Sequence, residues 1–182
     1  MKVTETILKG CFIIEPRKFE DERGYFFESF NEKTFQELTQ MKTHFVQDNQ
    51  SYSGRGVVRG LHAQTGAFAQ AKLVRVLEGK VLDVALDARP GSATFGQHIA
   101  VELSAENNKQ LFIPRGFLHG FTVLSESAVF FYKCDNYYHK ASEIGVHPLD
   151  KNLSIDWKIQ NDEMILSEKD QEAPLFYDVK FK

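Results

Sequence analysis

Two histidines sit in glycine-flanked, largely apolar settings, His62 in "RGLHAQ" (59–64) and His119 in "PRGFLHGF" (114–121), each close to an arginine. Histidine is the side chain whose unperturbed pKa lies near neutrality, so such a pair suits either a transition metal or proton transfer. His62 and Gln64 lie two apart and share one strand face, which gives a metal at most two imidazoles and a neutral amide. Tight transition-metal sites offer three or four His, Cys or carboxylate ligands, so this spacing argues against a metal. What remains is an electropositive, partly apolar cup. Arg59, His62 and Lys72 are expected on one hairpin, with His119 arriving from another strand. A cation inside an apolar strand needs a partner, and an anionic ligand would supply one.

The elements that must hold these residues read mainly as β. "AKLVRVLEGKVLDVALD" reads as two strands joined at Glu78-Gly79, with Leu82, Val84 and Leu86 on one face and Asp83 and Asp87 on the other. "HIAVEL" alternates through Ile99, Val101 and Leu103, and "QLFIP", "GFTVLS" and "AVFFYK" follow between Gly, Pro, Ser and Asn turn signals. The β pattern sets in at about residue 44. Before it, "NEKTFQELTQ" (31–40) predicts a short helix capped by Asn31, with Phe35 and Leu38 on one face. Near the end, "SEKDQEAPLF" predicts a capped turn or short helix. Many short strands at such spacing predict a mainly β jelly roll with a few short helices.

The 182 residues, 42% hydrophobic and 26% charged, fit one soluble domain spanning 1–182, and the 16 phenylalanines favour a β-rich core. A net charge of −3 gives no footprint for a nucleic-acid backbone. No apolar run is long enough for a signal peptide or a membrane span. Cys11 and Cys134 make no disulfide framework and read as reduced thiols of a cytoplasmic protein.

Within a jelly roll, the two histidine stretches resemble the paired motifs of the cupin superfamily. Gly56 and His62 fit the first, and Pro114, Gly116 and His119 the second; Gln64 and Val123 stand where that superfamily places further His and Asn. Longer blocks carry a closer resemblance: "RGYFFE" (23–28), "QDN" (47–49), "VVRGLH" (57–62), "AQAKLVRV" (69–76), "LSAEN" (103–107), "QLFIPRGFLHGF" (110–121), "YK" (132–133) and "SEKD" (167–170). In that order they resemble the dTDP-4-dehydrorhamnose 3,5-epimerases, metal-independent dimeric cupin-type enzymes. The resemblance implies no cofactor and a dTDP-sugar substrate. It also implies a homodimer in which the N-terminal segment completes the partner's site.

Residue by residue, it implies His62 as general base with Asp170 as its partner, Tyr132 as general acid, and Lys72 beside the C4 carbonyl oxygen. Arg59 matches the diphosphate position, and Arg23, Phe26 and Glu28 lie in the block contributed by the partner subunit. Gln47 and Asn49 match ligand contacts, His119, Glu143 and Lys169 match substrate-binding positions, and Tyr138 matches the residue stacked on thymine. Two places depart from the family: Ala63 replaces an aromatic, and "GVHPLDKN" puts Pro148 and Lys151 where a tryptophan and a D-P step are common. Both changes are expected beside the pocket.

The implied chemistry suits these residue types. Carbons 3 and 5 flank the ketone of a 4-keto-6-deoxy sugar, so removing a proton from either leaves an enolate on the C4 oxygen. Returning the proton to the opposite face inverts the centre without redox change, in keeping with a chain lacking a G-x-G-x-x-G fingerprint or a P-loop. Other readings stand beside this one. Ser167-x-x-Asp170 is also a helix-cap spacing, and Tyr132 alternates with Phe130 as a core residue would. The alternatives for the whole chain are an epimerase acting at carbon 3 or 5 alone or a related ketoisomerase, a metal-dependent cupin dioxygenase or isomerase, and a sugar-nucleotide binding module.

Overall fold

The computed structural model of the protein describes residues 1–181. Thirteen strands form two facing sheets and a separate ribbon. In chain order they are β1 (Lys2–Glu5), β2 (Phe12–Glu15), β3 (Phe19–Asp21), β4 (Gly24–Phe26), β5 (Gln47–Gly54), β6 (Val58–Gln64) and β7 (Lys72–Glu78). There follow β8 (Lys80–Asp87), β9 (His98–Ser104), β10 (Gln110–Ile113), β11 (Phe117–Val123), β12 (Ser127–Cys134) and β13 (Glu143–Gly145). The first sheet runs β1-β2-β10-β7-β12-β5 and the second β13-β6-β11-β8-β9, while β3 and β4 pair only with each other. The mainly β jelly roll expected from the sequence is the observed architecture, though four strands precede residue 44.

Between the sheets lies a core to which both contribute: Val74, Val76, Leu111 and Phe130 from one, Val81, Ala85, Phe117 and Phe121 from the other. Outside the first sheet, helix α1 (Glu32–Thr39) lays Phe35 against Phe12, Leu73 and Phe112. Asn31 caps it by accepting from the Thr34 amide at 3.1 Å. The buried residues of α1 are Phe35 and Thr39, an i, i+4 pair; Leu38 is about half exposed, against expectation, because the buried stripe runs through Phe35 and Thr39 and leaves Leu38 at its edge. Outside the second sheet, the C-terminal stretch covers Val84, Leu86 and Leu118 with Val146, Leu153, Trp157 and Phe176. This cover is mostly irregular, with a short helix α2 (Glu168–Gln171).

The stretch 72–87 does contain two strands joined at Gly79, but they belong to different sheets. Gly79 has φ +77°, and a Cβ there would lie 2.0 Å from the Ser127 carbonyl oxygen, so only glycine lets the chain cross between sheets at this point. The expected hairpin carrying Arg59, His62 and Lys72 is likewise corrected. β6 lies in the second sheet and β7 in the first, and residues 65–71 cross from one to the other. Lys72 therefore faces His62 across the sandwich instead of sitting beside it.

Candidate active site

At the centre of the second sheet, β6 and β11 pair antiparallel with His62 opposite His119 and Arg59 opposite Phe121. The register shifts between these pairs, so Gly60 and Leu61 together face the single residue Gly120. An extra residue in one strand re-aims the side chains beyond it. That bulge lets Arg59 and His62, three apart, both reach one cavity. Gly60 makes it possible: a Cβ there would lie 2.6 Å from both Gly120 Cα and the His119 carbonyl oxygen.

The cavity has a volume of about 550 Å³ and opens between the sheets. Arg59, His62 and His119 line it from the second sheet, Asn49, Lys72 and Tyr132 from the first, and Asp170 from α2. Val57, Phe121, Ile165 and Leu166 add an apolar wall. A smaller chamber of about 160 Å³ shares Asn49, His62, Lys72 and Tyr132, and adds Gln47, Gln64, Tyr138 and Glu143.

His62 Nε2 lies 2.6 Å from Asp170 Oδ1, across 108 residues of sequence. Asp170 is almost wholly buried and His62 is 27% exposed at its side chain. Burial works to raise the Asp170 pKa, but hydrogen bonds from His62, Ser167 and the Gly60 amide outweigh it and hold the carboxyl below the ordinary carboxylate range. Ser167 also caps α2, its hydroxyl accepting from the Asp170 amide at 3.2 Å. The two readings of the Ser167–Asp170 spacing are thus compatible: the cap uses the backbone of Asp170 and the histidine uses its carboxylate. With Nε2 committed to Asp170, Nδ1 is the His62 nitrogen left for a substrate.

Lys72 makes no ion pair among the described residues, and burial draws its pKa down from the ordinary lysine value. Its Nζ stands 5.7 Å from the Tyr132 ring centroid. Burial raises the Tyr132 pKa above its ordinary value, which keeps the phenol protonated at neutral pH. Arg59 donates its Nε to Ser53 Oγ at 3.1 Å, which leaves the guanidinium's terminal nitrogens for a ligand. Around the smaller chamber, Gln47 reaches Asn49 at 3.1 Å, and the Tyr138 hydroxyl donates to Glu143 at 3.2 Å. Lys169 pairs with Glu143 at 2.6 Å. Among the described residues no group of three or more His, Cys, Asp or Glu stands close enough to hold a metal ion.

Arg23, Phe26 and Glu28 are not brought to this cavity. Arg23 is 84% exposed and pairs with Asp21 on the β3–β4 ribbon, where Phe26 is 70% exposed. Glu28 is exposed just beyond. Pro148 and Lys151 do not lie beside the pocket either; the Pro148 carbonyl accepts from Trp157 Nε1 in the outer layer. Ala63 packs in that same layer and also borders the smaller chamber.

Asp83 was not legible as a site residue. Its Oδ2 lies 2.9 Å from His119 Nε2, and it is wholly buried on the inner face of β8. The only sign of it in the sequence is a carboxylate set opposite Leu82 and Val84 in an alternating strand. Burial lowers the His119 pKa; Asp83 counteracts this, while Lys72 and His62 reinforce it.

A family model described as dTDP-4-dehydrorhamnose 3,5-epimerase matches residues 5–178 of this chain. A protein of that name from Shigella flexneri is 50% identical over 181 residues, covering 100% of this chain and 99% of its own length. Among solved structures, a dTDP-4-dehydrorhamnose 3,5-epimerase from Elizabethkingia anophelis NUHP1 superposes with TM-score 0.95 at 63% identity, over 98% of this chain and 97% of the other. A dTDP-6-deoxy-D-glucose-3,5-epimerase from Legionella pneumophila, solved in complex with dTDP-4-keto-L-rhamnose, superposes with TM-score 0.94 at 49% identity, covering 98% and 94%.

Proposed function

The chain belongs to the dTDP-4-dehydrorhamnose 3,5-epimerase family, and from that membership we propose how its own residues invert carbons 3 and 5 of dTDP-4-dehydro-6-deoxy-D-glucose. The product is dTDP-4-dehydro-L-rhamnose, an intermediate of dTDP-L-rhamnose biosynthesis. The observation that carries the reading is the 2.6 Å His62–Asp170 pair in a cavity shared with Lys72 and Tyr132.

His62 Nδ1 removes the proton from a carbon beside the ketone, and Asp170 stabilises the imidazolium that forms. Lys72 Nζ meets the charge that grows on the C4 oxygen, a position where a preorganised cation strengthens as the enolate develops. Tyr132 returns a proton. It stands on the first sheet and His62 on the second, so a sugar ring between them meets base and acid on opposite faces. That is the geometry inversion requires. His119 borders the same cavity as a further substrate contact. Arg59 takes the diphosphate, Tyr138 stacks on the thymine, Gln47 and Asn49 make further ligand contacts, and Glu143 and Lys169 contact the substrate.

The exposed β3–β4 ribbon supports the homodimer. It pairs with neither sheet of its own chain and carries Arg23 and Phe26, with Glu28 just beyond, ready for a partner's cavity. We read residues 1–182 as one catalytic domain. Among the described residues no helix is long and apolar enough to cross a membrane. The two buried free thiols accord with a cytoplasmic enzyme.

The test is incubation with dTDP-4-dehydro-6-deoxy-D-glucose in heavy water, followed by NMR. Deuterium at both C3 and C5 is expected. Label at one carbon would make it a single-centre epimerase, and label at neither would sink the proton-transfer reading.

A further inference from the structure

His119 is held as tightly as the base, yet the proton transfers above do not use it. It is the cross-strand partner of His62 and points into the same cavity. Its Nε2 is bonded to Asp83 at 2.9 Å. Its Nδ1 makes no hydrogen bond among the described residues, and it is absent from the buried unpartnered atoms, which are Asp83 Oδ1 and Thr122 Oγ1. The cavity is therefore where Nδ1 finds a partner. A carboxylate accepts and never donates, so Asp83 fixes the hydrogen of a neutral His119 on Nε2 and leaves Nδ1 a bare acceptor. The groups facing His119 are Asp83, Lys72 and His62. Burial and the two basic neighbours hold it uncharged, against the pull of Asp83.

Resting on the epimerase reading, we propose that Asp83 is a positioning residue that sets His119 Nδ1 as the acceptor for the hydroxyl on carbon 3 of the sugar. Of the two carbons that react, only carbon 3 bears a hydroxyl; carbon 5 carries a methyl group and the ring oxygen. An acceptor beside the base thus orients one reacting centre and has no donor to grip at the other. Asp83 and His119 then govern the balance between the two inversions while His62 serves both.

The experiment compares initial rates of deuterium entry at C3 and at C5 by NMR in wild type, Asp83→Asn, His119→Leu and His119→Asn. Exchange at both carbons in wild type secures the underlying reading independently of this one. Asparagine at 83 no longer enforces one tautomer, and leucine at 119 offers no acceptor. Both variants are expected to lose C3 exchange by about tenfold or more relative to C5, the scale of an unmet hydrogen bond in a buried site. An asparagine oxygen at 119 overlays the Nδ1 position and should recover most of the C3-to-C5 ratio. Equal slowing at the two carbons in Asp83→Asn and His119→Leu would overturn the proposal. So would a His119→Asn variant no better than His119→Leu, which keeps the test open even if Asp83→Asn fails to fold.

Discussion

Two histidines stand opposite one another on neighbouring strands, each paired with an aspartate, and the surroundings of the two pairs differ more than their geometry. Both use Nε2, at 2.6 Å to Asp170 and 2.9 Å to Asp83. Asp170 sits at a capped helix start, where His62, Ser167 and the Gly60 amide all supply hydrogen bonds. Asp83 lies mid-strand with one oxygen unpartnered. His62 is 27% exposed at its side chain and His119 only 8%. A base must become a cation and recover in every turnover, which calls for a well-supplied carboxylate and some access to water. His119 has neither. On the reading proposed above, the same residue pair moves protons in one setting and holds one still in the other.

That contrast can be broken in order of expected effect. His62→Ala should cost about 10²–10⁴ in turnover, the usual worth of a positioned acid–base group, with circular dichroism and dTDP binding unchanged. Asp170→Asn should fall in the same range. If Asp170 served only the cap, this variant would keep full turnover, because its amide would remain. Lys72→Met should lower kcat by about 10²–10³. Retention of wild-type kcat in that variant would remove the lysine from the enolate. Ser167→Ala removes a cap worth about 1 kcal/mol and should lower Tm by about 2–4 °C, with a smaller loss of kcat than Asp170→Asn.

The smallest effect concerns pH. The His119 pKa is held below its ordinary 6.5 by burial, so the unfolded chain takes up this proton more readily than the folded one. Its contribution to stability is complete above about pH 6.5 and declines as pH falls toward the folded value. Histidine titration by NMR should place His119 below free histidine, and lower still in Asp83→Asn. A rise in that variant would reverse the sign assigned to Asp83.

The first pair was legible through the family resemblance, which matched both His62 and Asp170; the cap spacing of Ser167 and Asp170 alone pointed to a structural role for the carboxylate. The second pair was half legible. His119 announces itself in "PRGFLHGF", but Asp83 alternates with leucine and valine as a solvent-facing residue would. Here both faces of β8 are covered, one by the first sheet and one by the C-terminal stretch. Nothing in the pattern of residues 146–181 signals that cover, since it has no period to read. The crossing of residues 65–71 between sheets was missed for a related reason: local spacing reports which residues are near in sequence, not which sheet each strand will join. The trans role proposed for Arg23 rests on an exposed arm in a single chain. Mixing inactive His62→Ala subunits with impaired Arg23→Ala subunits should restore activity, because the mixed dimer then holds one intact site. No recovery on mixing would place each site within one chain.

The His62–Asp170 contact closes over 108 residues, nearly three-fifths of the chain. On the ribosome, His62 therefore emerges long before Asp170. A nascent chain can pair most of its strands and still be chemically silent until α2 has cleared the exit tunnel and docked. If Asp170 has the role proposed for it, cleavage by a protease just before Ser167 would abolish the reaction although every strand of both sheets precedes the cut, so turnover reports on the integrity of the stretch that begins at Ser167.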